Sequence, residues 1–403
     1  MPRTTRLALA GALAGVLAAG PALAQDVKIG GLFPMTGDLQ AYGSTAKQGV
    51  ELAVKEINAN GGVLGEDLKA AFADTKTTPQ AGVDAANKLV SIDNVAGIVG
   101  AMSSGVTISV ARAVTSSKGV PQVSNASTSP TITTLEDNGY LFRTVPSDAL
   151  QGRVLGNLAY DKGYRTLSTL YVNNAYGEGL ADTFKVQFEK RGGTVAASLP
   201  YEKGKASYRG EIADAEKGGA EAMALIGYPQ NGTTIIRQAL QQGNFDEFIF
   251  TDGMKAPEVP EQIGGTFLDN SLGIVPAAPQ GEGAAHFEKA FKNAYGELPP
   301  KPFIDTAYDG AYLLALAMQK AGSTDGQAVR DALSEVANPP GKTVRPGTWA
   351  AARRALEKGK QVNYEGAAGS QDFDENGDVP GIFQQWTFKE TEVRTIQRIQ
   401  PDM

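Results

Sequence analysis

The 403-residue chain carries 44 acidic and 37 basic side chains, one histidine and no cysteine, for a net charge of −7. Zero Cys excludes thiolate nucleophiles, Cys-ligated metals and disulfides, so stability has to come from a large core. The lone His286 excludes a His-based metal cluster and leaves one imidazole for acid–base work, and the acidic balance disfavours nucleic acid or an anionic membrane as partner.

Arg3 and Arg6 precede an apolar run from 7 to 20, and Ala22-Leu23-Ala24 has the small-x-small form of a cleavage site. Residues 1–24 therefore read as a signal peptide that delivers the chain to a periplasm. Gly20-Pro21 breaks a helix before that site, the run is short for a membrane span, and no Cys is available for a lipid anchor. Removing the leader's two arginines takes the net charge from −7 to −9. No later stretch is long and apolar enough to cross a bilayer.

A strand is predicted at 27–32. A helix follows at 44–60, with Val50, Ala53, Val54 and Ile57 at helical spacing and Asn60-Gly61-Gly62 as its stop. The second strand is 68–74. Thr78 then caps a helix whose first position, Pro79, lacks an N–H that would be unpaired anyway. Val83, Ala86, Leu89 and Val90 form its buried stripe. A strand at 96–100, a helix at 104–118 and a strand at 120–124 complete the first unit. After Leu141-Phe142-Arg143-Thr144-Val145-Pro146 the same grammar restarts. Helices at 151–162, 180–190, 207–217 and 233–242 alternate with strands at 166–172, 194–199, 222–227 and 248–251. Two successive parallel units imply an α/β chain of two doubly wound, Rossmann-like lobes, joined by a few strand-like crossings able to hinge. Beyond 274 come helices at 284–294, 303–321 and 326–337, with a Pro-rich loop at 298–302. The tail, 381–399, alternates like antiparallel strands around an Asp374-Glu375-Asn376-Gly377-Asp378 turn.

Ligands of open α/β sheets bind beyond the carboxyl ends of strands. There the first unit places Met102-Ser103-Ser104-Gly105 and Asn125-Ala126-Ser127-Thr128-Ser129-Pro130. Free N–H groups and small hydroxyls at such a point suit a carboxylate; the same residue types also serve as ordinary helix caps. The second unit places Tyr176-Gly177-Glu178-Gly179, Gly227-Tyr228-Pro229 and Thr251-Asp252-Gly253 at corresponding ends. Tyrosines suit the wall of a closing cleft and an acid can pair with an ammonium, while a plain turn and half-buried packing explain the same residues. The run from Asp372 to Asp378 starts like a Ca²⁺ loop, yet its twelfth position is Phe383 instead of a bidentate Glu, which favours a plain Asn-Gly turn. No G-x-S-x-G elbow is present, so a hydrolase would have to recruit His286.

Across essentially the whole chain after the leader, the sequence resembles the leucine/isoleucine/valine-binding family of periplasmic proteins, with the type I solute-binding fold. The resemblance runs through Gly31-Leu32-Phe33-Pro34-Met35-Thr36-Gly37, Tyr42-Gly43, 53–62, Asp74, Pro79 and 86–89. It continues through 100–105, Arg143-Thr144, Tyr176-Gly177-Glu178-Gly179 and 373–378, and it is the order and spacing of these segments that carries it. It implies the substrate-binding component of an ABC importer: a monomer with no cofactor, metal or catalytic residue that hands an amino acid to an inner-membrane permease. By position, Ser104, Ala126 and Thr128, with Ser127 on the same loop, match residues that hold the ligand's α-carboxylate. Ala126 and Thr128 can also contact the α-amino group, and Asp252 matches an acid that pairs with it. Tyr42, Tyr176 and Tyr228 match aromatic positions around the ligand. Thr77 and Ser103 stand where some members carry a Cys pair, so that bridge is absent. The expected ligand is a branched-chain or other apolar amino acid; a different small carboxylate, an amide, or a sensing role at a receptor are the alternatives. The lobes are expected at 25–145 with 277–384 and at 146–276 with 385–403.

Overall fold

The computed structural model describes residues 27–401, so the expected signal peptide lies outside the described residues. Strands β1 (Val27–Phe33), β2 (Leu68–Asp74), β3 (Ile98–Gly100), β4 (Gln122–Ser124) and β5 (Leu141–Arg143) form a parallel sheet in the order β2-β1-β3-β4-β5. Strands β6 (Thr166–Val172), β7 (Thr194–Tyr201), β8 (Ala222–Ile226), β9 (Phe248–Phe250) and β10 (Leu272–Ala277) repeat that order as β7-β6-β8-β9-β10. The chain is thus two doubly wound lobes, each with a switch point where its strand order reverses. Strands such as β8, buried at every position, read as continuous apolar runs because helices cover both faces.

The remaining elements extend this plan. The helix Ile304–Ala321 is buried around most of its circumference and lies on the helix Gln40–Ala59 and on β3 and β4. Two short strands, β11 (Lys342–Val344) and β12 (Val362–Tyr364), flank the helix Trp349–Glu357, and the sequence pattern marks none of the three. A final hairpin, β13 (Ile382–Lys389) and β14 (Glu392–Ile399), adds antiparallel strands beside β10. Its turn is at Glu390, which takes the left-handed φ of 56°. The Asp374–Asp378 segment is a turn, but it is not the one that joins these strands. Among the described residues, no helix is long and apolar enough to cross a membrane.

Several helices begin about one turn earlier than their apolar stripes suggest: at Gln40, Asp148, Ala175 and Pro229. The early starts have local causes. Asn174 accepts from the N–H groups of Tyr176 and Gly177, and Pro229 occupies a first-turn position. Gly43 lets the first turn of Gln40–Ala59 press onto the chain after β1, where a Cβ would sit 2.1 Å from the Pro34 carbonyl oxygen. The expected helix 104–118 forms as Ser104–Val110, a wider turn at Ala111–Thr115, and Ser116–Lys118.

Candidate functional site

The carboxyl ends of the two sheets meet across a small cavity. From the first lobe it is lined by Leu39, Tyr42, Met102, Ser104 and Ala126; from the second by Tyr176, Tyr228, Asp252 and Gly253; and Phe303 closes one side. Six of the residues singled out in the sequence therefore come together. Ser127 and Thr128 do not line the cavity. Ser127 Oγ lies 2.7 Å from Thr107 Oγ1 and 3.2 Å from the Ala101 and Met102 carbonyl oxygens. The Thr128 hydroxyl donates to Asp148 Oδ2 at 2.7 Å. Met102 and Gly253 stood in the strand-end segments without a role of their own, and Leu39 and Phe303 were not marked as site residues, since an apolar side chain in a loop gives no periodic signal.

The first-lobe end of the cavity is built from backbone and small hydroxyls. Ser104 Oγ accepts from the Ser129 N–H at 3.3 Å, which leaves its own proton to donate. The N–H groups of Ala126 and Thr128 find no acceptor among the described residues. The loop is fixed from behind by Arg143, which is fully buried at the end of β5. Its guanidinium donates to the carbonyl oxygens of Ser127 and Ser129 and, through Nε and Nη2 at 2.6 Å each, to both oxygens of Asp378. These bonds fix the loop whose Ala126 lines the cavity. The acidic run 372–378 finds its use here. Asp374 Oδ1 accepts from the N–H groups of Asn376 and Asp378, shaping the turn that presents Asp378 to Arg143. A bidentate buried pair of this kind supplies geometry as well as energy.

The second-lobe end is acidic and aromatic. Asp252 follows β9 in a short helical turn, and its Oδ1 accepts from Gln151 Nε2 at 2.5 Å and from the Tyr176 hydroxyl at 3.0 Å. No side chain among the described residues donates to its other oxygen. Burial pushes the Asp252 carboxyl up to about 6, against the opposing pull of the Gln151 and Tyr176 bonds. No basic side chain is among the causes that would bring it back down, so an arriving cation would favour the ionised form. The rings of Tyr176 and Tyr228 stack at 5.7 Å, and Tyr228 OH accepts from Asn174 Nδ2 at 3.0 Å.

Bonds between the lobes hold the cavity shut. The Tyr42 hydroxyl donates to the Gly253 carbonyl oxygen at 2.9 Å. At the rim, Asp38 takes Asn231 Nδ2 at 2.8 Å and Lys203 Nζ at 3.2 Å, and Lys203 also donates to the Thr77 carbonyl oxygen at 2.9 Å. His286 is elsewhere, with Nε2 2.9 Å from Glu56 Oε1.

With this geometry, residues 26–376 match the periplasmic binding protein family. The chain belongs to that family, in its Leu/Ile/Val-binding group. It is 31% identical to Leu/Ile/Val-binding protein homolog 1 of Brucella suis over 80% of this chain and 86% of that one. It is 28% identical to the chemotactic signal transduction system substrate-binding protein BasB of Halobacterium salinarum, over 86% of this chain and 83% of that protein. Among solved structures it resembles the leucine binding protein LivK of Thermotoga maritima at 25% identity and a TM-score of 0.80, covering 93% of this chain and 99% of that one. This periplasmic binding protein places its cavity between two lobes of one strand order.

Proposed function

We propose that the protein is the substrate-binding component of an ABC importer, capturing a free branched-chain or similarly apolar amino acid in the periplasm without chemistry. One observation carries this reading. The cavity has the unpaired Ala126 amide and the Ser104 hydroxyl at one end and a buried carboxylate lacking a cation at the other, the complement of a zwitterion. Leu39, Met102 and Phe303 supply apolar wall for a side chain. The names of the Brucella and Thermotoga relatives support the ligand class.

In this reading the ligand's carboxylate docks first on the loops after β3 and β4. The second lobe then brings Asp252, Tyr176 and Tyr228 over the ammonium, and closure is favoured because only the shut form lets the ligand touch both lobes. The crossings that flex are 144–148, 276–282 and 379–382, where the chain passes between sheets. The leader 1–24 is cleaved, and the mature monomer delivers its ligand to an inner-membrane permease. Catalysis is disfavoured because His286 is engaged with Glu56, away from the cavity, and the only bond to Ser104 Oγ among the described residues comes from a backbone N–H.

The test is calorimetry of the mature protein with leucine. Asp252→Ala removes a charge-assisted contact worth about 2–3 kcal/mol, so affinity falls ~30- to 150-fold. Leucine methyl ester and 4-methylpentanoate, each lacking one charged end, bind far more weakly than leucine. A variant that binds leucine as the wild type does would sink the assignment of Asp252. The similarity to BasB favours one further reading, in which the same capture signals to a receptor; co-purification of a receptor instead of a permease with the leucine-loaded protein decides for it.

A further inference from the structure

A second carboxyl lies behind the cavity. Asp148 opens the helix Asp148–Asp161 and is fully buried where the chain passes between lobes. Its N–H donates to the Thr128 carbonyl oxygen at 2.7 Å and its Oδ2 accepts the Thr128 hydroxyl at 2.7 Å, so it is tied to the loop that carries the cavity's amides. Asp148 Oδ1 is buried without a partner among the described residues. One turn along the same helix face, Gln151 donates to Asp252, and Gln151 Oε1 is likewise buried without a partner. Two stranded oxygens at i and i+3 are both acceptors as long as Asp148 is ionised. A single proton removes the conflict, because a carboxylic acid can donate.

We infer that Asp148 stays protonated and donates that proton to Gln151 Oε1, completing a chain from the Thr128 hydroxyl through Asp148 and Gln151 to Asp252. The charges around Asp148 agree with this. Burial and then the Asp252 carboxylate push its carboxyl well up, and Tyr176 adds no positive charge. Arg143, the cation facing it, is already held by both oxygens of Asp378. Asp148 is a positioning residue. It sets the amide loop and the acid at a fixed separation, and it leaves this part of the site with one negative charge where two carboxyls sit together. A single charge suits a ligand with one ammonium and not a diamine, a consequence that rests on the proposed role of Asp252; the protonation itself does not.

Infrared difference spectroscopy of the ligand-free protein at about pH 7 tests the proton directly. A protonated-carboxyl band is expected in the wild type and is lost in Asp148→Asn; the absence of any such difference overturns the inference. Leucine titration adds a second readout. Asp148→Leu is expected to weaken binding more than about tenfold, and Asp148→Asn, whose amide both accepts and donates, recovers most of that loss. An Asn variant as poor as the Leu variant also overturns it. Gln151→Met removes a bond that favours ionised Asp252, so the pH at which affinity falls on acidification moves upward. Should leucine prove not to be the ligand, the infrared result still decides the protonation by itself.

Discussion

The two lobes share a strand order and supply opposite chemistry to one cavity. The first lobe offers the Ser104 hydroxyl and the amide of Ala126, on a loop that a buried ion pair fixes from behind; its one titratable lining residue, Tyr42, is held far above its ordinary range by burial. The second lobe offers a carboxylate and two tyrosines oriented by neutral hydrogen bonds. The first half should therefore be indifferent to pH but brittle toward loss of its buried pair. The second should tolerate substitution in its fold and respond to pH.

The largest effect is expected where the first half is most brittle. Arg143→Met leaves the Asp378 carboxylate without its cation and the Ser127 and Ser129 carbonyls without their donor, and breaking such a buried pair costs about 3–5 kcal/mol. Urea unfolding of the ligand-free protein measures it. A loss below about 1 kcal/mol would erase the contrast between the lobes. The next effect belongs to the second half. Asp252 is raised from 3.8 to about 6 in the folded protein. The folded chain therefore binds more protons than the unfolded one between about pH 4 and 6, and this residue's contribution to stability falls as pH rises through that window. Leucine affinity runs the other way, since binding uses the ionised form: from about pH 6 to pH 5 it drops ~fivefold. Asp252→Asn should flatten both slopes, whereas a profile unchanged in that variant would place the titrating group elsewhere. A smaller effect tests the contact that crosses the cavity. Tyr42→Phe removes the donor to the Gly253 carbonyl, worth about 0.5–1.5 kcal/mol, so leucine binds ~2- to 10-fold less tightly, with the change in the dissociation rate.

The same contrast explains what the sequence showed. Elements made by local rules were legible to the residue: β2, β6 and the helix Gly326–Ala337 have β-branched or apolar periodicity with sharp ends. Helices that open on the cavity were placed late, because their first turns carry Tyr42, Asp148 or Tyr176 in place of an apolar stripe residue. The final hairpin hid its turn, since Glu390 adopts a left-handed φ that Asn-Gly would have announced. At the site, polar and aromatic residues next to strand ends were readable, and Arg143 and Asp378 were visible as a segment boundary, a turn and parts of a resemblance, but not as a pair. Their pairing spans 235 positions and no periodicity reports it. The Thr128 hydroxyl is likewise spent on Asp148, a partner that only the fold supplies.

The rim contacts give the smallest and most selective test of the comparison. Lys203 reaches from the second lobe to Asp38 and to the Thr77 carbonyl oxygen of the first, and both charged side chains are partly exposed. Exposed pairs contribute at most about 1 kcal/mol, so Lys203→Met should weaken leucine binding no more than about fivefold. Because the contact exists only when the lobes are shut, the loss should appear as faster dissociation, with association unchanged. Salt separates this pair from the cavity interactions. Added salt screens a rim pair far more than a buried one, so it should speed leucine release from the wild type and have little effect on the Lys203→Met protein. An association rate that falls while dissociation holds would mean that Lys203 guides entry, and the rim would then belong to capture instead of closure.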